Sequence, residues 1–155
     1  MSADLYWKML DDIKACGRTV LSVFPDEDTG DYSFSYSVGN SIMDLPELLL
    51  FAMHPRDARW LINLLSEQMI ERGRKFDDGE LVSMGGPCPV CVIDASDSVK
   101  NEYTIQVKHM LTKVGLENEY RVMQIVLPDP DGLFPWDDGC SEPYAQMKVC
   151  RRLAS

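Results

Sequence analysis

The sequence predicts an α+β fold, a single domain over residues 1–155 with a mostly antiparallel sheet and two or three packed helices. Three observations lead there. Segments with apolar residues at helical spacing are interleaved with short β-type runs in the order α-β-β-β-α-β-β-α-β. Several strands are separated only by hairpin-length turns, which favours antiparallel pairing over a doubly wound parallel sheet. The 155 residues contain no internal repeat, low-complexity tract or linker, and one core at this size buries roughly 70% of the unfolded surface.

Each element has its own signal. "ADLYWKMLDDIKACG" sets Leu5, Met9 and Ile13 on one helical stripe that Gly17 ends. "RTVLSVFP" reads as a strand closed by Pro25, and "DEDTGD" as a turn. In "YSFSYSVG", Tyr32, Phe34, Tyr36 and Val38 alternate with serines, the pattern of a half-buried antiparallel strand. Glu47 to Met53, "ELLLFAM", is a continuous apolar run suited to a central strand covered on both faces.

Pro55 suits the first position of a helix, and "RDARWLINLLSEQMIERG" follows it. Trp60, Leu61, Leu64, Leu65 and Met69 are expected to form its buried stripe, with Gly73 as the stop. "ELVSM" and "VCVIDA" read as strands around the Gly85-Gly86-Pro87 turn. "VKNEYTIQVKHMLTKVG" spaces Val99, Tyr103, Val107, Met110 and Val114 as one helix, with a strand as the alternative at its β-branched start. The last strand, "EYRVMQIVLP", puts Val122, Gln124 and Val126 on one face and Met123, Ile125 and Leu127 on the other. A short helix is expected in the tail "EPYAQMKVCRRLAS".

Apolar residues at 45% and charged residues at 26% are ordinary globular values. No apolar run approaches the roughly 18 residues of a membrane span. "MSADLYWKML" lacks the features of a signal peptide, so the sequence predicts a cytoplasmic protein without a membrane partner. A net charge of −10 repels phosphate backbones and argues against direct nucleic-acid binding. It leaves either a solvated surface or an acidic face that mimics nucleic acid toward a basic partner. Cys16, Cys88, Cys91, Cys140 and Cys150 are an odd set without export signals, and reduced thiols are expected.

No motif names a reaction. "CPVC", Cys88 to Cys91, has redox or metal spacing, yet a strand follows where a thioredoxin-like site needs a helix N-terminus. A zinc site could recruit Cys140, Cys150, His54 or His109, but the spacing is irregular. His54 is expected to cap or pack at a helix start, and His109 to be exposed. No serine lies in a Gly-x-Ser-x-Gly elbow, and "DPDG" lacks the ligand register of a calcium loop. The sequence calls for no cofactor and no metal.

"LPDPDGLFPWDDGC", Leu127 to Cys140, sets Phe134 and Trp136 in a loop with three prolines, two glycines and four aspartates. Asp129 and Pro130 turn the chain out of the last strand, and Gly132 supplies a permissive backbone angle. Both rings can then fold over the sheet, as a lid on the core or as the wall of a pocket rimmed by "SYSVGN". A buried Trp136 would want an acceptor, which Gln124 or Glu47 could supply.

Three fragments, "FSYSVGN", "LPELLLFAM" and "QIVLPDPDGLFPWDDGC", stand in an order and spacing that resemble a bacterial and phage family of small domains of unknown function. That family is marked by a Phe-x-Tyr-Thr-x-Gly strand, a Pro-Glu-Leu segment and an Asp-x-x-Gly-x-Phe-Pro-Trp loop. The resemblance spans about residues 18 to 140 and is most specific in the loop. Ser37 stands where threonine is usual, and Leu45 where histidine often precedes Pro46. It implies the fold and a phage or mobile-element setting against host defence, and assigns no reaction.

The expectation is a non-enzymatic binding or interaction domain that sequesters a small ligand or engages a host protein. Its ligand-binding residues would be Tyr36, Ser37, Asn40, Glu47, Gln124, Asp129, Phe134 and Trp136, with no catalytic residue. The alternatives are a small hydrolase using Glu47, His54 or Asp129 with a water, and an acidic nucleic-acid mimic. Association of copies is left open.

Overall fold

A computed structural model describes residues 3–24, 33–113, 115, 120–146 and 149. Its strands are β1 Thr19–Val23, β2 Phe34–Val38, β3 Glu47–Phe51, β4 Glu80–Val82, β5 Val90–Asp94 and β6 Val122–Val126. They form a six-stranded sheet in the order β1-β2-β3-β6-β5-β4. Every neighbouring pair is antiparallel except β3 and β6, which run parallel with Leu49 beside Gln124. The fold is the α+β arrangement expected, with a mostly antiparallel sheet.

The helices are α1 Ala3–Cys16, α2 Pro55–Arg72, α3 Asp97–Tyr103 and α4 Ile105–Lys113, four among the described residues. One more than expected arises because the segment read as a single third helix is broken at Thr104. There the Thr104 hydroxyl donates to the Lys100 carbonyl at 2.6 Å, and the backbone turns to φ −111. A side chain bonding back to the preceding turn competes with helix continuation.

Helices cover both faces of the sheet. Leu48, Leu50, Met123 and Ile125 pack on α2 through Ala58, Leu61, Ile62, Leu65 and Met69. The opposite face sets Tyr36, Val38, Leu49, Phe51 and Val122 against Met9 of α1 and Val107, Met110 and Leu111 of α4. Covering both faces buries every residue of β3 and β6, which explains the unbroken apolar run in β3. β3 ends at Phe51, short of Met53, because Ala52 takes a left-handed backbone at φ 63.

Two expectations about burial need correction. The serines of β2 do not face water: Ser35 and Ser37 lie under α2 and are buried. They are tolerated because their hydroxyls are paired, Ser35 with Ser22 at 2.8 Å and Ser37 with Glu47 at 2.7 Å. Trp60 and Leu64 are not in the buried stripe of α2: Trp60 is 60% exposed and Leu64 is half-buried at a groove. The small residues Ala58 and Ser66 take the inner face instead, alongside Leu61, Ile62, Leu65 and Met69, and let the helix sit close to the sheet.

Pro25, the "DEDTGD" turn, Tyr32, Val114, Cys150 and the chain from 150 onward lie outside the described residues, as do Met147 and Lys148. Within the expected tail helix, Tyr144–Gln146 forms one 3-10 turn.

Candidate functional site

The site grows from one buried carboxylate. Glu47 opens β3 with no solvent exposure, and both its oxygens are filled by donors. Oε1 accepts from Ser37 Oγ at 2.7 Å and from the Asn40 N–H at 3.1 Å. Oε2 accepts from the Gly39 N–H at 3.1 Å, the Ser41 N–H at 3.0 Å and the Ser41 hydroxyl. Burial pushes the Glu47 carboxyl above the usual carboxylate range, and these donors pull it back. The arrangement offers acceptor duty only, since every neighbour is a donor.

That carboxylate pins the turn that follows β2. Gly39 sits at φ 136, and a Cβ there would lie 2.5 Å from the Gly17 carbonyl oxygen and 2.7 Å from Arg18 Cα. Only glycine allows so close an approach, which brings the start of β1 against the turn. Asn40, fully buried, donates through Nδ2 to Ser66 Oγ at 2.9 Å and to the Pro46 carbonyl at 3.2 Å. Its Oδ1 is thereby aimed at Arg18 and accepts from Arg18 Nε at 3.0 Å.

Arg18 completes the chain of bonds. Its side chain is only 3% exposed, its Nη1 donates to Asn63 Oδ1 at 3.2 Å, and its Nη2 forms an ion pair with Glu67. A buried cation needs such pairing, because its desolvation otherwise costs several kcal/mol. Glu67 is different, with a side chain 54% exposed. Between α1, β1 and α2 lies an open groove of about 410 Å³, lined by Asp12, Arg18, Trp60, Asn63, Leu64 and Glu67 among others. Trp60, Asn63, Leu64 and Glu67 share one side of α2, at helical spacing.

The eight residues expected to bind a ligand fall into separate places. Ser37, Asn40 and Glu47 come together in the cradle just described. Tyr36 faces the α1 and α4 side, where its hydroxyl accepts from the Gln106 N–H at 3.4 Å and burial pushes its phenol up to about 12. Gln124 is buried in β6 between Leu49 and Ile93. Asp129, Phe134 and Trp136 belong to the loop after β6.

In that loop Asp129 acts as an organiser. Its Oδ1 accepts from the Asp131 and Leu133 N–H groups, both at 2.9 Å. Its Oδ2 accepts from the Ser141 N–H at 2.9 Å and the Ser141 hydroxyl at 3.2 Å. These bonds, the Ser141 N–H first, hold its carboxyl below the usual range. Phe134 and Trp136 stack with centroids 5.1 Å apart and cover Cys91, Ile93 and Val126. The loop forms a lid over the far end of the sheet.

The remaining candidates are engaged elsewhere. His54 Nδ1 accepts from the Arg56 N–H at 3.2 Å and caps α2, while His109 is exposed. Cys91 is buried in β5, which pushes its thiol up to about 11 and disfavours the reactive thiolate. Cys88 points its thiol at the Pro130 carbonyl, 3.9 Å away. Among the described residues no three His, Cys, Asp or Glu side chains gather as a metal would require. A second groove of about 430 Å³ holds Lys75, Lys100 and Arg121, each donating to a backbone carbonyl, at Phe76, Tyr120 and Asp44 respectively.

The family model of DUF4262, a domain of unknown function, matches residues 12–141. The chain belongs to that family. The matched span of the DUF4262 domain runs from Asp12 at the groove to Ser141, the partner of Asp129, and so includes the cradle, Arg18 and the groove side of α2. No curated protein and no solved structure matches the chain. Among the described residues no helix is long and apolar enough to cross a membrane.

Sequence reasoning missed Arg18, Trp60, Asn63 and Glu67. The available signal was the 60-63-64-67 spacing on α2, which is a second helical stripe beside the core one. Arg18 carried none, as the first residue before an ordinary strand.

Proposed function

We propose that this DUF4262 domain is a non-enzymatic binding module whose ligand seats in the groove between α1, β1 and α2. The observation that carries the reading is Trp60, a large exposed aromatic that lines the same groove as the buried, multiply bonded Arg18. Exposed tryptophan next to a fixed cation is a recognition surface, since it offers apolar area and polar anchoring together. Trp60 and Asn63 would touch the ligand beside Arg18, whose partner Glu67 closes the groove's polar end. Ser37, Asn40 and Glu47 would act as positioning residues for Arg18, and Phe134 and Trp136 would keep the lid closed.

Hydrolysis has less support. A carboxylate or histidine base must hold a water, yet the oxygens of Glu47 and Asp129 are filled by protein donors and His54 caps a helix. The wider setting, a cytoplasmic phage or mobile-element protein that counters host defence by sequestering a small ligand or engaging a host protein, is supported by the resemblance of the three sequence fragments. The test is native mass spectrometry of protein purified from its own host. Wild type should carry an added mass that Trp60→Ala loses. An added mass that survives Trp60→Ala but disappears in Trp136→Ala would move the site to the lid.

A further inference from the structure

We infer that the groove takes a ligand with a flat ring and an anionic head group, a carboxylate or a phosphate, and that Glu67 is the protein's own occupant of the anion position. The inference rests on the groove reading above and names its ligand class.

Arg18 is a cation whose side chain is 3% exposed, and its neighbours Asn40 and Asn63 present neutral carbonyl oxygens. The carboxylate it pairs with belongs to Glu67, which reaches in from a half-exposed position on α2. The other members of this network are anchored. Asn40 is held by Ser66 and Pro46, and Arg18 by Asn40 and Asn63. Glu67 is the exposed partner of the guanidinium, so turning it outward frees Nη2 while Asn40 and Asn63 still hold the side chain.

A guanidinium so placed matches the planar, bidentate geometry of carboxylate and phosphate. Trp60 lies two helical turns before Glu67 on the same side of α2, with Leu64 between them and Val20 on the opposite wall. A ring resting on Trp60 could therefore carry an anion into the place Glu67 now holds. In a chain of net charge −10, an anionic ligand needs local cations to overcome long-range repulsion, and Arg18 and the exposed Arg59 both line this groove together with Asp12.

The test is calorimetric titration with adenosine 5′-monophosphate, indole-3-acetate and neutral adenosine, on wild type, Glu67→Gln and Trp60→Ala. Removing the competing carboxylate should tighten at least one anionic probe by about tenfold or more and leave adenosine unchanged. The nucleotide responding without the acetate identifies phosphate as the head group, and the reverse identifies carboxylate. Trp60→Ala should weaken the responding probe. Raised salt should weaken it on wild type and spare adenosine, a readout that needs no Glu67 variant.

Absence of anionic binding to both wild type and Glu67→Gln overturns the inference, as does a result in which neither anionic probe responds differently from adenosine. Adenosine binding that depends on Trp60 without any anion preference would sink the ligand class while leaving the groove standing. Retention of the host-derived mass in Trp60→Ala would sink the groove itself.

Discussion

Arg18 Nε donates to the side-chain oxygen of Asn40 at 3.0 Å, across a gap of 22 residues. This bond joins the start of β1 to the turn after β2. It also connects the cradle of Glu47, a carboxylate with no solvent exposure, to a groove that faces solvent. The buried end determines where the cation at the open end can be.

Ser37 should tolerate threonine and reject alanine. Its hydroxyl donates to Glu47 while accepting from the Leu48 N–H at 2.9 Å, so Ser37→Ala orphans the buried Leu48 N–H and leaves Glu47 Oε1 with the Asn40 N–H alone. Urea unfolding should show a loss of roughly 2–4 kcal/mol for Ser37→Ala. Ser37→Thr keeps the hydroxyl and should fall within about 1 kcal/mol of wild type. Equal stability of all three proteins would mean that the cradle contributes nothing.

Leu49 lies at the centre of the sheet with no exposure, between β2 and β6. Leu49→Asp buries a charge with no partner and should prevent soluble folding. A soluble variant with a cooperative melt would contradict the placement of β3.

The order of elements was legible because both periodicities are local properties of the chain. β3 reads as an unbroken apolar run covered on both faces, β6 carries faces that a period of two resolves correctly, and α1 shows its stripe at Leu5, Met9 and Ile13. Trp60 was misplaced because hydrophobicity favours a tryptophan over Ala58 and Ser66, whereas close helix-to-sheet packing favours the small residues. The break at Thr104 depends on one hydroxyl and could not be seen in spacing. Ser37, Asn40 and Glu47 of the cradle were named from the sequence, but the groove was illegible for a different reason. Arg18 meets Asn63 and Glu67 across 45 and 49 residues, and no periodicity reports such pairing.

The two tryptophans Trp60 and Trp136 should separate stability from binding. Trp136 stacks on Phe134 over the third core cluster but keeps partial exposure, so Trp136→Ala should cost roughly 2–3 kcal/mol, less than a fully buried ring. Trp60→Ala removes an exposed side chain and should stay within about 0.5 kcal/mol of wild type. Denaturant midpoints of the two variants check this. A large loss at Trp60 would assign that ring to the core.

Acid should unfold the lid through Asp129. Its carboxyl is held below the usual range in the folded state, so the unfolded chain takes up the proton first as pH falls. Its contribution is therefore complete above about pH 4 and is lost as pH drops through the folded value. Asp129→Asn should lower stability at neutral pH and flatten the decline below about pH 4. Urea midpoints taken across that window read both effects, and an unchanged acid limb would remove Asp129 from the account.

The central claim is that the Glu47 cradle holds Arg18 fixed at the groove, and the Arg18 Nε–H reports on it directly. Its exchange with water can be followed by nitrogen-resolved NMR in wild type and in Asn40→Ala, with Arg59, an exposed arginine of α2, as the internal reference. The account predicts an Arg18 signal that exchanges at least about tenfold more slowly than that of Arg59 and loses this protection in Asn40→Ala, because a bonded, buried donor must open before it exchanges. An Arg18 Nε–H that exchanges as fast as Arg59 in the wild-type protein would contradict it.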